Sequence, residues 1–371
     1  MILHILVNLN QPCGFPPVSN RLLIPADRLR DSLASALAAS GACPTSVEAA
    51  VRALMHASRL GVDSHGARLV MHYDRVLRSG RVNGQPQIRV KHTGTSTAVV
   101  DGDDGLGHHV AYAAMTEAIA IARETGVGAV GAIRSSHYGA AGAYALAAAE
   151  AGMIGFATTN ADSVVAPFDG AKSFHGTNPL AFAAPSGDEK PWLLDMATSS
   201  IPMNRVLLYR TLGTTLPEGV AAAAGGTVTR DAAAAEMLLP LGGSDFGFKG
   251  AALAGVATVL SAVLQGTALD HDMIPMIGGD MSSPRNMGHF FLAIDPARFG
   301  GREVFAAGMA AYLAALRAVP GRDGAEILAP GDREWRVEAE RLRDGIPIDL
   351  TTAEFLGLSA YSAGEPEAPR R

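Results

Sequence analysis

Residues 61 to 68 read GVDSHGAR, which sets a hydroxyl (Ser64), an imidazole (His65) and a guanidinium (Arg68) within five positions. An imidazole titrating near neutrality can exchange a proton with a substrate alcohol or carbonyl, and an arginine can grip a carboxylate through paired hydrogen bonds. The same spacing also fits a plainer arrangement in which Ser64 caps a helix while His65 and Arg68 face water. A second imidazole, His137, stands in RSSHYGAAG, after a strand-like apolar run and before a helix rich in small residues. Strand ends are where α/β proteins place ligand sites. His108, His109 and His175 lack comparable neighbours and read as surface or core histidines.

Asp195 closes the apolar run WLLDMATSS. A carboxylate there is costly without a partner, so it orients a catalytic imidazole, lies beside a cofactor, or caps a helix. Lys249, in LPLGGSDFGFKGAAL, is predicted to sit in a glycine-rich loop before a helix, where backbone N–H groups and an ammonium can meet phosphate. Residues 126 to 131, GVGAVG, spell G-x-G-x-x-G. In a Rossmann unit those glycines follow a strand and open a helix; here a helical pattern precedes them and a strand pattern follows, so they predict a helix stop. No HExxH or comparable spacing occurs, which argues against a metal site.

The elements that must position these groups fall into two patterns. Residues 22 to 80 carry three amphipathic helical segments, the second opening on Thr45 and Ser46 ahead of Glu48, a capping-box pattern. From about residue 91 strands and helices alternate, and helical patterns return from Gly300. The expected organisation is therefore an extension over 1–21, a helical domain over 22–90 completed by helices within 300–360, an α/β domain over 91–299, and a disordered tail over 361–371.

Composition narrows the function. Of 371 residues 48% are hydrophobic and 18% charged, which suits a compact enzyme, and the net charge of -6 with scattered basic residues argues against a nucleic-acid partner. Cys13 and Cys43 have neither disulfide-framework nor zinc-cluster spacing, so a reducing, cytoplasmic setting is expected. The first twenty residues lack the basic start of a signal peptide. The longest apolar stretch, Ala251 to Leu264, falls short of the roughly 20 residues that cross a bilayer and is expected to be a buried helix, with no membrane partner.

Together GVDSHG, SSHYGAAGAYALAAAEAGMIGFATTN, GTNPLAFAAP, LLDMATS and LLPLGG resemble the malate/L-lactate dehydrogenase family over roughly residues 22 to 335. The resemblance implies a homodimer, with a smaller all-helical domain packed on an α/β domain that binds NAD or NADP without a Rossmann unit. It implies hydride transfer to or from C2 of a small 2-oxo or 2-hydroxy acid, or reduction of a cyclic imino acid; a catalytically silent cofactor-binding relative is the remaining alternative. It places His65, beside Ser64, as the proton carrier and His137 as the second histidine of the site. Asp195, Met196, Ala197, Thr198 and Ser199, with Pro240 and Lys249, fall on the cofactor-contacting set. Arg68 falls on the carboxylate-gripping role, one place nearer the histidine than in many members, and Tyr73 is the alternative grip. This chain also carries Asn204-Arg205 where many relatives have Gly-Lys, and Asp169-Gly170 in place of a second glycine doublet.

Overall fold

The computed structural model describes residues 21–359. The expected extension, apart from Arg21, and the tail beyond residue 360 lie outside the described residues. A short strand, β1 (Arg21–Ile24), leads through Pro25 into α1 (Ala26–Ala39). Helices α2 (Pro44–Arg59) and α3 (Val70–Arg78) follow. Leu29, Leu33 and Leu37 recur at helical spacing on α1 and bury themselves with Leu54 of α2 and Val70, Tyr73 and Val76 of α3. The start of α2 differs from the capping box expected at Thr45 and Ser46. Pro44 occupies the first helical position, where a missing N–H costs nothing, Cys43 is the N-cap, and the Ser46 hydroxyl lies 3.0 Å from Nδ1 of His109.

Beyond α3 the hairpin β2 (Arg89–Gly94) and β3 (Thr97–Asp101) leads to α4 (Gly107–Thr125), which returns the chain as β4 (Val127–Ser135). Gly126 ends α4 at φ 89°, a left-handed conformation that glycine adopts without strain. The GVGAVG string is thus a helix stop running into a strand. Then come α5 (Gly142–Glu150), β5 (Ile154–Thr159), β6 (Leu180–Ser186), β7 (Glu189–Met196) and α6 (Met203–Leu212). Three two-residue strands, β8 (Ala221–Ala222), β9 (Val228–Thr229) and β10 (Met237–Leu238), make a small separate sheet. After α7 (Gly243–Thr258), the strand β11 (Met287–Ile294) inserts between β4 and β5.

The main sheet has seven strands in the order β2-β3-β4-β11-β5-β6-β7, and of its neighbouring pairs only β3 and β4 run parallel. A Rossmann sheet is mostly parallel, so this is an α/β fold of another kind. Met115 of α4 and Tyr144 of α5 are buried in one core with Val130 and Phe291 from the sheet.

α7 corrects one expectation. With the π-helical turn Val259–Val263 it forms 21 residues that are long and apolar enough, by length and composition, to cross a membrane. Only 33% of its most apolar window is buried: Gly250, Ala254 and Ala257 face inward, whereas Val256, Val259, Val263 and Leu264 are exposed. The chain ends with α8 (Arg302–Arg317), α9 (Asp332–Asp344), β12 (Ile346–Asp349) and α10 (Leu350–Phe355). α8 lies against β6. β12 pairs antiparallel with β1, setting Ile346 opposite Ile24, and Ile346, Ile348 and Ala353 close the cluster of the first three helices.

Candidate active site

His65 ends a 3-10 turn, Asp63–His65, between α2 and α3. The next residue must be glycine, because a Cβ on Gly66 would meet Ser58 Oγ at 2.5 Å, and that hydroxyl accepts the Ala67 N–H. Asp63 is anchored by an ion pair to Arg341. Ser64 makes no capping bond; its Oγ lies 2.8 Å from Nδ1 of His65. Burial, and after it the charge of Arg68, lowers the His65 pKa to about 4, so the ring is neutral near pH 7. Arg68 itself is exposed and has no hydrogen-bond partner among the described residues, which leaves its guanidinium available beside His65.

His137 follows the end of β4, and its ring stacks on that of His65 at 6.0 Å between centroids and 21° between planes. Its Nδ1 lies 2.7 Å from the hydroxyl of Tyr73. Tyr73 is 1% exposed, and burial holds its phenol well above its usual pKa. The phenol is therefore a neutral hydroxyl, able to donate to Nδ1 or to accept from it according to the tautomer of His137. The hydroxyl of Tyr73, the alternative grip, thus lies at His137 and its ring in the helical core. His72, the residue before Tyr73, sets its ring edge to His137 at 6.3 Å. Burial, then the neighbouring His65, pushes the His137 pKa well down. His108, read from sequence as ordinary, is fully buried edge-on to Tyr73 with neither ring nitrogen hydrogen-bonded.

Asp195 sits at the end of β7 and bonds to neither imidazole. Its Oδ2 accepts the N–H of Gly142, the first residue of α5, at 2.8 Å, which is the capping alternative. Burial, despite this bond, raises its pKa to about 6. Asp195 and Ser64 line one cleft of about 500 Å³, together with Asn204, Arg205 and Glu334. A groove of about 1330 Å³ along α1 and α2 contains none of the candidate residues.

The rest of the DMATS segment lies against the LPLGG segment. Ser199 bridges Pro240, Leu241 N–H donates to Thr198 O at 2.8 Å, and Ser200 Oγ to Pro240 O at 2.6 Å. Met196 and Ala197 precede that junction and are half-buried. Lys249 stands within α7 and not in a loop, because the helix starts at Gly243 directly after the left-handed Gly242. Its glycines serve close packing: a Cβ on Gly250 would meet the Leu241 N at 2.3 Å. The Lys249 ammonium is exposed, 5.3 Å over the Phe246 ring.

The structure adds groups that the sequence did not reveal. Asp270, 1% exposed, gathers Asn178 Nδ2 at 2.7 Å, Gly176 N–H and Asn160 Nδ2 at 3.0 Å each, tying the TTN and GTNP segments together. Arg285, also buried, pairs with Asp162 at 2.5 Å and donates to Ile274 O. The asparagines stand in strings already noticed, but their common acceptor lies 110 residues after Asn160 and 92 after Asn178 and carries no local signal.

The family model for malate/L-lactate dehydrogenase matches residues 24–356. The chain belongs to the malate/L-lactate dehydrogenase family. It is 37% identical over 352 residues to malate dehydrogenase of Pyrococcus horikoshii, covering 93% of this chain and 96% of that one. Sulfolactate dehydrogenase of Methanocaldococcus jannaschii superposes with a TM-score of 0.84 at 32% identity, over 90% of this chain and 95% of its own. Delta1-piperideine-2-carboxylate reductase of Pseudomonas syringae pvar. tomato gives 0.81 at 27% identity, over 91% and 100%. Membership in this family makes the chain an oxidoreductase.

Proposed function

We propose that this enzyme transfers a hydride between C4 of a nicotinamide, NAD or NADP, and C2 of a small 2-hydroxy or 2-oxo acid, acting as a cytoplasmic homodimer. The observation that carries the reading is the stacked pair His65 and His137, each fixed at Nδ1 by a hydroxyl of its own. With Nδ1–H donating to Ser64, His65 offers a lone pair at Nε2 that takes the proton of a substrate hydroxyl, and in reduction the protonated ring returns it. His137 offers the opposite tautomer, an Nε2–H that hydrogen-bonds a substrate oxygen. Arg68, exposed beside His65, suits the carboxylate as a bidentate donor.

The residues present fit a dinucleotide. The first-turn N–H groups of α7 and the exposed Lys249 are donors suited to phosphate, and the junction of Thr198 and Ser199 with Pro240 adjoins them. When bound, the nicotinamide supplies or accepts the hydride. The exposed apolar stripe of Val256, Val259 and Val263 supports a second copy as its cover.

Likeness to a piperideine-carboxylate reductase supports a second reading, reduction of a cyclic C=N at the same site. A screen of 2-oxo acids and cyclic imino acids with NADH and NADPH separates the two. His65→Ala is expected to lower kcat about 100-fold or more while a cofactor-fluorescence titration stays near normal. Near-normal turnover by the folded variant would remove His65 from the mechanism.

A further inference from the structure

His289 is a fully buried imidazole that the proton chemistry above does not use. It stands on β11, the strand inserted between β4 and β5, and each ring nitrogen meets a hydroxyl from one of those neighbours. Nε2 lies 2.7 Å from Ser135 Oγ on β4, and Nδ1 lies 2.8 Å from Thr159 Oγ1 on β5. Burial pushes its pKa down to about 3, so the ring is neutral near pH 7. A neutral imidazole has one N–H and one lone pair, and a hydroxyl satisfies either. The ladder between β11 and β4 slips between Met287 and His289, and the backbone partner of His289 is Ala132, so its side chain reaches along β4 to Ser135 at the strand's end.

That reach brackets His137. Ser135 precedes it by two positions, and Tyr138, directly after it, sets its ring on His289 at 4.6 Å between centroids and 12° between planes. Tyr138 is buried as well, and its carbonyl accepts the Tyr144 hydroxyl. The backbone in between needs such holding. Arg134, at φ 48°, is in the left-handed region where a non-glycine residue is strained, and β4 ends at Ser135, short of His137. Backbone of that kind keeps one shape only where its surroundings fix it. An apolar ring of the same size would fill the space of His289 equally, whereas hydrogen bonds at both ends fix the ring's orientation and with it the end of β4.

We propose that His289 is a positioning residue for the reaction: through Ser135 on one side and Tyr138 on the other it holds the main chain of His137 where that imidazole meets the substrate oxygen. This inference rests on the reading above that His137 hydrogen-bonds the substrate. Being fully buried, His289 acts only through its neighbours. The Tyr73 hydroxyl fixes the His137 ring at Nδ1, and His289 fixes the backbone that carries it. A misplacement of about 1 Å costs about 100-fold in rate. Thr159 supplies the contrast. Its hydroxyl holds the same imidazole from the β5 side, against the carbonyls of Asn160 and Gly288 at 3.0 Å each, and adjoins no residue assigned to the proton chemistry.

The test compares Ser135→Ala and Thr159→Val, which each remove one of the two hydroxyls, with His289→Phe, which keeps a ring on Tyr138 and loses both bonds. Each purified variant is assayed below its melting range with the substrate and cofactor that the wild type turns over best. Beside the rates stand thermal melts, a cofactor-fluorescence titration and the primary isotope effect of reduced cofactor deuterated at the transferring position. Ser135→Ala and His289→Phe are expected to lower kcat about 10-fold or more, with cofactor Kd within about 2-fold of wild type and an isotope effect at least as large as the wild type's, as a slowed chemical step requires. Thr159→Val is expected to lower the melting temperature about as much as Ser135→Ala and to keep kcat within about 2-fold. If His289→Phe fails to fold, the other two variants decide alone. An unchanged kcat in Ser135→Ala, equal kcat losses in Ser135→Ala and Thr159→Val, or an isotope effect that collapses toward unity overturns the positioning role and leaves the hydride-transfer reading standing. No turnover by the wild type of the screened 2-oxo and cyclic imino acids, with either cofactor, overturns that reading and the positioning role with it.

Discussion

The hydroxyl of Tyr73 lies 2.7 Å from Nδ1 of His137, on a side chain 1% exposed, so a residue of the helical core holds one ring nitrogen of the histidine that follows β4, and we read the phenol as its donor. Tyr73→Phe leaves Nδ1 without its donor and frees the ring to carry its proton there, away from substrate. The expected outcome is a fall in kcat of about 10-fold with little change in cofactor affinity, and a stability loss of about 1 kcal/mol. Steady-state kinetics beside a denaturant titration check this; an unchanged kcat would reduce Tyr73 to a packing residue.

Burial and Arg68 hold His65 near pKa 4, below its ordinary value of 6.5. Oxidation needs the neutral ring, so its kcat/KM is expected to hold steady from neutrality downward and to be lost as pH falls through about 4. Reduction needs the protonated ring, so its kcat/KM is expected to fall tenfold per unit as pH rises above about 4. Initial rates in both directions over pH 4 to 9 report the free-enzyme value. A break near 6.5 in both profiles would mean that another group carries the proton.

Asp195 has the opposite sign. Its pKa is raised from 3.8 to about 6, so its contribution to stability is present below 3.8 and is lost as pH rises through 6. An asparagine can still accept the Gly142 N–H through Oδ1 and carries no charge to desolvate. Asp195→Asn is expected to raise stability at pH 8 by at most about 3 kcal/mol, with the gain vanishing below about pH 4. Melts across that range check the sign; a destabilised variant at pH 8 would show that the charge itself is used by the fold.

Gly128 stands where a Cβ would meet the Ala118 carbonyl oxygen at 2.1 Å, so α4 and β4 cannot keep their spacing around a larger residue. Gly128→Ala is expected to cost about 1 to 3 kcal/mol of stability or more, while the folded fraction binds reduced cofactor as the wild type does. Selective loss of cofactor binding in a protein of normal stability would restore the phosphate-binding reading of GVGAVG.

How far the site was legible follows from what local sequence encodes. Gly126 was readable because a helix terminus demands a left-handed residue at one position. His65 and His137 were readable because each lies in a short string of polar and small residues at an element boundary. The roles of Tyr73 and Asp195 were open from sequence, because one hydroxyl or carboxylate can serve several partners and only packing selects among them: Tyr73 went to His137, Asp195 to the start of α5. Lys249 was misplaced by its glycines, which mark close backbone approach as well as loops. The pair of Asp162 and Arg285 left no trace, since its members are 123 residues apart in the chain.

The pairing of β1 with β12 has a consequence for the order in which the enzyme is made. His65 and Tyr73 leave a ribosome well before Ile346, Ile348 and Ala353, yet the core beneath them stays open until those residues arrive. A nascent chain therefore carries the candidate site residues on an unfinished scaffold until that distant segment emerges. The strand β12 and the start of α10 act as the key that completes it.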